Sequence, residues 1–183
     1  MKKLDDIWEE YINQGSLSPH TLKELAWHIE YDIDPADAIT MATDMGLKEL
    51  GSCIAKQLGH EDDYIRELSV GCLLGRLKLP EYAEKGFKIA QEDPDESVRD
   101  LAIFNIGEIL NKIDDKNLRY KIACYLDQIL MSAATPLSKG APYNSILAAM
   151  GVPIAERPRV RDLGMEINFD LVEKFKKKYG VQE

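Results

Sequence analysis

The chain has 183 residues, of which 45% are hydrophobic and 30% are charged, a composition typical of a globular protein with a sizeable core. Its formal net charge is -9, so it lacks the basic surplus expected of a protein that contacts nucleic-acid phosphates. The acidic surplus lies within residues 1–131, whereas residues 132–183 carry 8 basic and 6 acidic residues. An acidic body attracts cationic partners, although the same charge also serves solubility alone.

The cysteines and the amino-terminal residues indicate the compartment. Cys53, Cys72 and Cys124 are widely spaced and odd in number, which favours buried free thiols over a disulfide framework. Acidic residues follow Met1-Lys2-Lys3-Leu4 and interrupt any apolar run of the signal-peptide type. No segment approaches the roughly 20 apolar residues that cross a membrane. We therefore expect a cytoplasmic protein with no membrane partner.

Apolar residues recur at helical spacing throughout the first 131 residues. Residues 3–14 are predicted to form the first helix, and Ser18-Pro19 marks the start of the second. Two helices ending before Gly46 and Gly59 follow. Further helices are predicted at residues 61–78, 81–92, 96–112 and 116–131. No segment alternates with the period of a strand, so the sequence predicts an all-α protein.

The pattern changes after Met131. Residues 132–168 contain four prolines and three glycines, and within them only residues 143–150 are predicted to be helical. A last helix is predicted at residues 169–179. We therefore expect a helical body at residues 1–131. An irregular, partly helical segment at residues 132–183 is expected to pack on the same domain.

One stretch of the chain occurs in two similar copies. Residues 64–70 read YIRELSV, and residues 97–103, which begin 33 residues later, read SVRDLAI. A β-branched residue, an arginine, an acid, a leucine and a small residue agree in order. A repeat of this period is typical of stacked helical hairpins, which mostly form surfaces that hold other molecules.

The second copy resembles a HEAT repeat of the short bacterial type that is also found in phycobilin lyase subunits. The matching features are the turn Asp93-Pro94-Asp95, the pair Val98-Arg99, the small Ala102 and the dipeptide Ile106-Gly107. Residues 60–75 are similar to a second, weaker copy. The resemblance implies an α-α superhelix, a HEAT-like solenoid of antiparallel helix pairs. It also implies a structural role for Arg66 and Arg99, which would link adjacent repeats.

Residue types that carry chemistry are not arranged as an active site. His20, His28 and His60 have no metal-ligand spacing with one another or with a cysteine. No nucleophile motif and no glycine-rich phosphate loop is present. Chance pairs among 32 acidic residues carry no information about acid–base catalysis. We therefore expect no catalytic residue, no metal and no cofactor.

A stripe at helical spacing on the second repeat copy is a candidate partner-binding face. An exposed phenylalanine beside acids, with glycines that bare a groove on the first copy, suits protein binding. The alternative is that the phenylalanine and the glycines simply pack between helices. The candidate residues are Asp100, Phe104, Glu108 and Asn111 on the second copy, with Glu67, Gly71 and Gly75 on the first.

Three arginines lie close together in the proline-rich segment, at Arg157, Arg159 and Arg161. They are suited to hold a phosphate group or an acidic partner. Alternatively, they dock this loop onto the acidic helical body.

These observations favour a non-enzymatic protein-binding module. A small acidic chain of this kind fits an immunity or antitoxin-type protein that neutralises a partner with a basic surface. The alternatives are a lyase-like HEAT protein that handles a pigment, a base-excision HEAT enzyme, and a scaffold subunit of a larger assembly. The base-excision alternative needs a basic concave face, which the net charge of -9 disfavours.

Overall fold

The computed structural model describes residues 1–32, 34–133, 135–159 and 166–182. These residues are helical or irregular, with no strand among them, so the predicted all-α class is confirmed for the part described. None of the helices in these ranges is both long and apolar enough to cross a membrane. The α-helices are α1 (Leu4–Gln14), α2 (Pro19–Tyr31), α3 (Ala36–Asp44), α4 (Gly51–Lys56), α5 (Asp63–Val70), α6 (Ala83–Glu92), α7 (Glu96–Ile109), α8 (Lys116–Ser132), α9 (Pro136–Ala149) and α10 (Phe169–Tyr179).

The chain divides into two compact units, Met1–Leu79 and Pro80–Glu183. In the first unit, α2 packs against α3 and α4, and α3 contacts α5. The predicted cap of α2 is confirmed, since the backbone N–H of Thr21 donates to Ser18 Oγ at 3.2 Å. The helix expected over residues 61–78 is shorter, because α5 ends at Val70 and continues as a π-helix, Gly71–Arg76. The fully buried core side chains include Ile7, Leu25, Ile29, Ile39 and Ile54.

In the second unit, α7 lies against both α6 and α9, and α8 contacts α9 and α10. Helices α7 and α9 approach each other closely at Gly107. A Cβ at this position would lie 2.0 Å from the backbone oxygen of Ser145 in α9. Only a glycine allows the two helix backbones to pack at this distance.

Helix α9 corrects the expectation that residues 132–142 are irregular. It begins at Pro136 and contains Pro142 inside the helix. Thr135 and Ser138 form a capping box, in which the backbone N–H of Ser138 donates to Thr135 Oγ1 at 3.1 Å. From Gly140 to Ala149 every residue is buried. A helix buried on all sides has no polar face, so it lacks the periodicity by which helices are recognised in a sequence.

The sequence repeat corresponds to a repeated hydrogen-bond pattern. Asp62 and Asp95 are the N-caps of α5 and α7, and each accepts the backbone N–H two residues ahead, at 2.9 and 2.8 Å. Nη1 of Arg66 donates to the carbonyl oxygens six and five residues earlier, at 3.0 and 3.1 Å. Nη1 of Arg99 makes the same two bonds at 2.6 and 3.1 Å. These bonds lie within each copy, and a link between adjacent repeats stays a prediction.

The cysteines follow the sequence expectation in part. Cys53 and Cys72 are buried free thiols, and Cys124 is a half-buried one. Burial raises the pKa of Cys53 and of Cys72. Both thiols are therefore protonated at neutral pH and poorly reactive.

Candidate functional site

The second unit carries an open pocket of about 430 Å³ between the start of α6 and the connection from α7 to α8. We call it the acidic groove, because carboxylates predominate among its polar side chains. It is lined by Pro80, Glu81, Glu84, Lys112, Ile113, Asp114, Asp115 and Leu118.

Helix starts place the acids on both walls of the acidic groove. Pro80 opens a short 3-10 turn before α6, so Glu81 and Glu84 lie at a helix amino-terminus, where negative charge is favourable. On the opposite wall Asp115 is the N-cap of α8 and accepts the N–H groups of the residues two and three ahead, at 2.8 and 3.1 Å. Buried Ile113 anchors this wall in the core. The groove therefore follows from ordinary helix-capping chemistry on two neighbouring elements.

The acidic groove has a strong excess of negative charge. Glu81, Glu84 and Asp114 are exposed, and within the described ranges none of them forms an ion pair or a side-chain hydrogen bond. Lys112 is the cationic residue that lines the groove. Carboxylate oxygens that face solvent keep their capacity to accept hydrogen bonds. The groove is therefore suited to receive lysine or arginine side chains from another molecule.

The residues of the predicted binding stripe, on α7 and on the 3-10 turn Leu110–Lys112 that follows it, differ in their exposure. Asp100 is exposed and Phe104 is half-buried. Burial, together with the charge of Glu96, raises the pKa of Asp100. Glu108 is half-buried and Asn111 is exposed, and both side chains are held by contacts to other elements of the second unit. The stripe is thus not one continuous open face, and binding through Asp100 and Phe104 stays a prediction.

Asn111 and Glu108 are both held by elements that follow α8. Asn111 Nδ2 donates to the backbone oxygen of Ala149 at 2.8 Å, and Asn111 Oδ1 accepts from Tyr179 Oη at 2.6 Å. The Glu108 carboxylate pairs with the guanidinium of Arg157, and their side chains are only 11% and 6% exposed. These two side chains therefore connect α7 and the 3-10 turn after it to the carboxyl-terminal part of the second unit.

Two of the three arginines of the proline-rich segment lie within the described residues, and their surroundings differ. Arg157 is held inward by Glu108 and also donates from Nε to the backbone oxygen of Val152 at 2.8 Å. This contact attaches the proline-rich segment to α7, which is what the loop-docking alternative describes for Arg157. Arg159 is exposed, and Arg161 lies outside the described residues.

The candidate residues on the first copy are only partly accessible. Glu67, Gly71 and Gly75 are each half-buried. Both glycines belong to the π-helix, which widens the helix backbone at this point. A partner-binding role for this surface stays a prediction.

Sequence reasoning did not single out the acidic groove. Its acids belong to two segments about thirty residues apart, Glu81 to Glu84 and Asp114-Asp115. The signal available in the sequence was that both pairs of acids lie at helix starts. One pair follows Pro80, and the other follows the buried Ile113. With 32 acidic residues in the chain, that signal did not distinguish these four from the others.

Across residues 1–32, 34–133, 135–159 and 166–182, no group of three or more His, Cys, Asp and Glu side chains is placed to hold a metal ion. No family model, no curated protein and no solved structure matches this chain.

Proposed function

We propose that this chain is a non-enzymatic protein-binding module with HEAT-like repeats, and that it binds a basic surface of its partner in the acidic groove. The observation that carries the proposal is the set of three exposed carboxylates, Glu81, Glu84 and Asp114, without an ion pair in the described chain. The repeat motif supports the HEAT-like part, because the copies share their caps and arginine contacts.

The size and charge of the acidic groove suit the binding of individual side chains of a partner better than the binding of a large flat surface. A volume of about 430 Å³ accommodates one or two lysine or arginine side chains. An arginine there would make bidentate hydrogen bonds to a carboxylate, which are roughly twice as strong as neutral ones. The net charge of -9 would also speed the approach of a basic partner at low ionic strength.

Within this class we propose an immunity or antitoxin-type role in the cytoplasm. A neutralising protein needs fast and tight capture of its partner, and electrostatic steering supplies the fast association. A neighbouring reading frame that encodes a toxin with a basic domain would support this assignment.

The experiment compares two variants of equal net charge. Glu81→Gln, Glu84→Gln and Asp114→Asn together remove three charges from the acidic groove. The matched control, Glu9→Gln, Asp37→Asn and Glu49→Gln, removes three exposed charges from the first unit. Each immobilised protein is exposed to lysate from its native cell at about 50 mM and about 500 mM salt, which screens surface charges. Bound macromolecules are then identified, and their affinities are measured with purified material.

The proposal expects a basic protein that binds the wild type and the control alike and binds the groove variant at least about tenfold more weakly. Co-expression with the wild type, but not with the groove variant, should relieve any growth defect that the partner causes. Equal weakening in both triple variants would show that net charge alone acts and would refute the groove. Capture of nucleic acid without protein would refute the binding-module assignment.

A further inference from the structure

The second unit also has a pocket of opposite charge, with a volume of about 260 Å³. It lies where the start of α8 meets the end of α10. We call it the cationic pocket. It is lined by Asn111, Lys116, Arg119, Tyr120, Lys178 and Tyr179, and it shares no residue with the acidic groove.

One wall of the cationic pocket is fixed by hydrogen bonds to a single carbonyl at the end of α9. Lys178 Nζ donates to the backbone oxygen of Ala149 at 2.9 Å, and Asn111 Nδ2 donates to the same oxygen at 2.8 Å. Tyr179 Oη donates to Asn111 Oδ1 at 2.6 Å. Lys178 Nζ also lies 5.1 Å from the centroid of the Tyr179 ring. This wall is therefore preorganised before any ligand arrives.

The positive charge of the cationic pocket is not neutralised by its lining. Three of its six side chains are cationic and none is a carboxylate, in a chain where acids outnumber bases 32 to 23. Within the described residues, the side chains of Lys116 and Arg119 form neither an ion pair nor a hydrogen bond. Their donors are therefore available to a ligand.

Partial desolvation of the Lys178 ammonium also favours binding of an anion in this pocket. Burial lowers the pKa of Lys178, which means that its ammonium is incompletely solvated. Burial also raises the pKa of Tyr179 to about 12, although the nearby charge of Arg119 opposes this rise. The phenol is neutral at physiological pH. A bound anion would stabilise the charged ammonium of Lys178 in place of the water that burial removes.

We propose that the cationic pocket binds a small phosphate ester that carries an aromatic ring, with the phosphate held by Arg119, Lys116 and Lys178. One guanidinium and two ammonium groups in the same lining match the charge and the multiple acceptor oxygens of a phosphate. Tyr120, which is 42% exposed, presents an aromatic face on which the ring of the ligand stacks. The volume equals that of about nine water molecules at roughly 30 Å³ each, which is enough for a phosphate with one ring system.

The test uses calorimetric titration with AMP, ribose 5-phosphate and inorganic phosphate at low salt. The pocket variant combines Arg119→Gln and Lys178→Gln. The matched control combines Lys121→Gln and Lys174→Gln, which remove the same charge from exposed sites on the same two helices. Far-UV circular dichroism confirms that both variants keep their helices. The AMP-induced change in the side-chain amide NMR signal of Asn111 locates the bound ligand.

The expected result is that AMP binds the wild type and the control equally, and binds the pocket variant at least about tenfold more weakly. AMP should also bind more tightly than ribose 5-phosphate, since only AMP offers an aromatic ring to Tyr120. Equal binding of these two ligands would overturn the stacking contact. No binding of any of the three to the wild type, or equal weakening in both variants, would overturn the site. None of these outcomes bears on partner capture by the acidic groove.

Discussion

The replacement Gly107→Ala tests the packing of the second unit most directly. The added Cβ would lie 2.0 Å from the backbone oxygen of Ser145, a distance that real Cβ contacts do not reach. An ordinary van der Waals contact begins at 3.4 Å, so α7 and α9 would have to separate by about 1.4 Å. The obstacle is backbone within a buried helix and cannot move aside as a side-chain tip can.

The expected loss of stability is the difference between two effects. Overpacking of a well-packed core destabilises by about 1–3 kcal/mol, and a rigid backbone contact belongs at the upper end of that range. Alanine is favoured over glycine in a helix interior by about 0.8–1.0 kcal/mol, which offsets part of the loss. We therefore expect Gly107→Ala to lower the free energy of unfolding by about 2 kcal/mol.

Urea unfolding followed by far-UV circular dichroism measures this change. The matched control is Gly59→Ala, because a Cβ at Gly59 meets nothing within 4 Å. The control should change the free energy of unfolding by no more than about 0.5 kcal/mol. If Gly107→Ala is as stable as the wild type, the close contact between α7 and α9 does not exist in solution.

Three further predictions concern charge and burial. Arg157→Ala removes the guanidinium that faces Glu108 and should lower the free energy of unfolding by about 3 kcal/mol in a urea titration. The double variant with Glu108→Gln should lose less than the sum of the single losses, and simple additivity would refute the ion pair. Burial lowers the pKa of His28, but the hydrogen bonds to Asp32 and to a backbone oxygen outweigh it and raise the pKa above 6.5. This stabilisation is present below pH 6.5 and is lost as the pH rises through the folded-state pKa, so His28→Gln should lose more stability at pH 5.5 than at pH 8.5. An equal loss at both pH values would contradict this sign. Ile106→Asp places a charge at a side chain that is 1% exposed and should abolish the helical signal of the second unit in circular dichroism. Retention of that signal would show that this position is not in the core.

The acidic groove and the cationic pocket lie on either side of the connection from α7 to α8. Lys112, Asp114 and Asp115 line the groove, whereas Asn111 and Lys116 line the pocket. The connection therefore supplies two aspartates to the groove and the neutral Asn111 to the pocket, whose Lys116 is the first residue of α8. Because the two cavities share no residue, the charge-matched variants can be tested independently.

The sequence by itself determined most helices of the chain and their starts. Apolar spacing identified α1 and α2, and the cap of α2 at Ser18 follows from local hydrogen bonding. The recurring aspartate and arginine, 33 residues apart, mark two helix starts that have the same hydrogen bonds. These features depend on residues within one or two helical turns, so a single sequence contains the information that specifies them.

Only the tertiary structure decided α9 and the surroundings of the candidate site residues. From Gly140 to Ala149, α9 has no amphipathic pattern because every residue is buried, and its internal Pro142 argued against a helix. Glu108 was predicted to face a partner but pairs with Arg157, which is 49 residues away in the chain. Charged side chains look alike in a sequence, and their role depends on which charges the fold brings near them. The pairing of Glu108 with Arg157 arises from packing between residues far apart in the chain. Apolar spacing and helix caps, in contrast, depend only on residues close together in the chain.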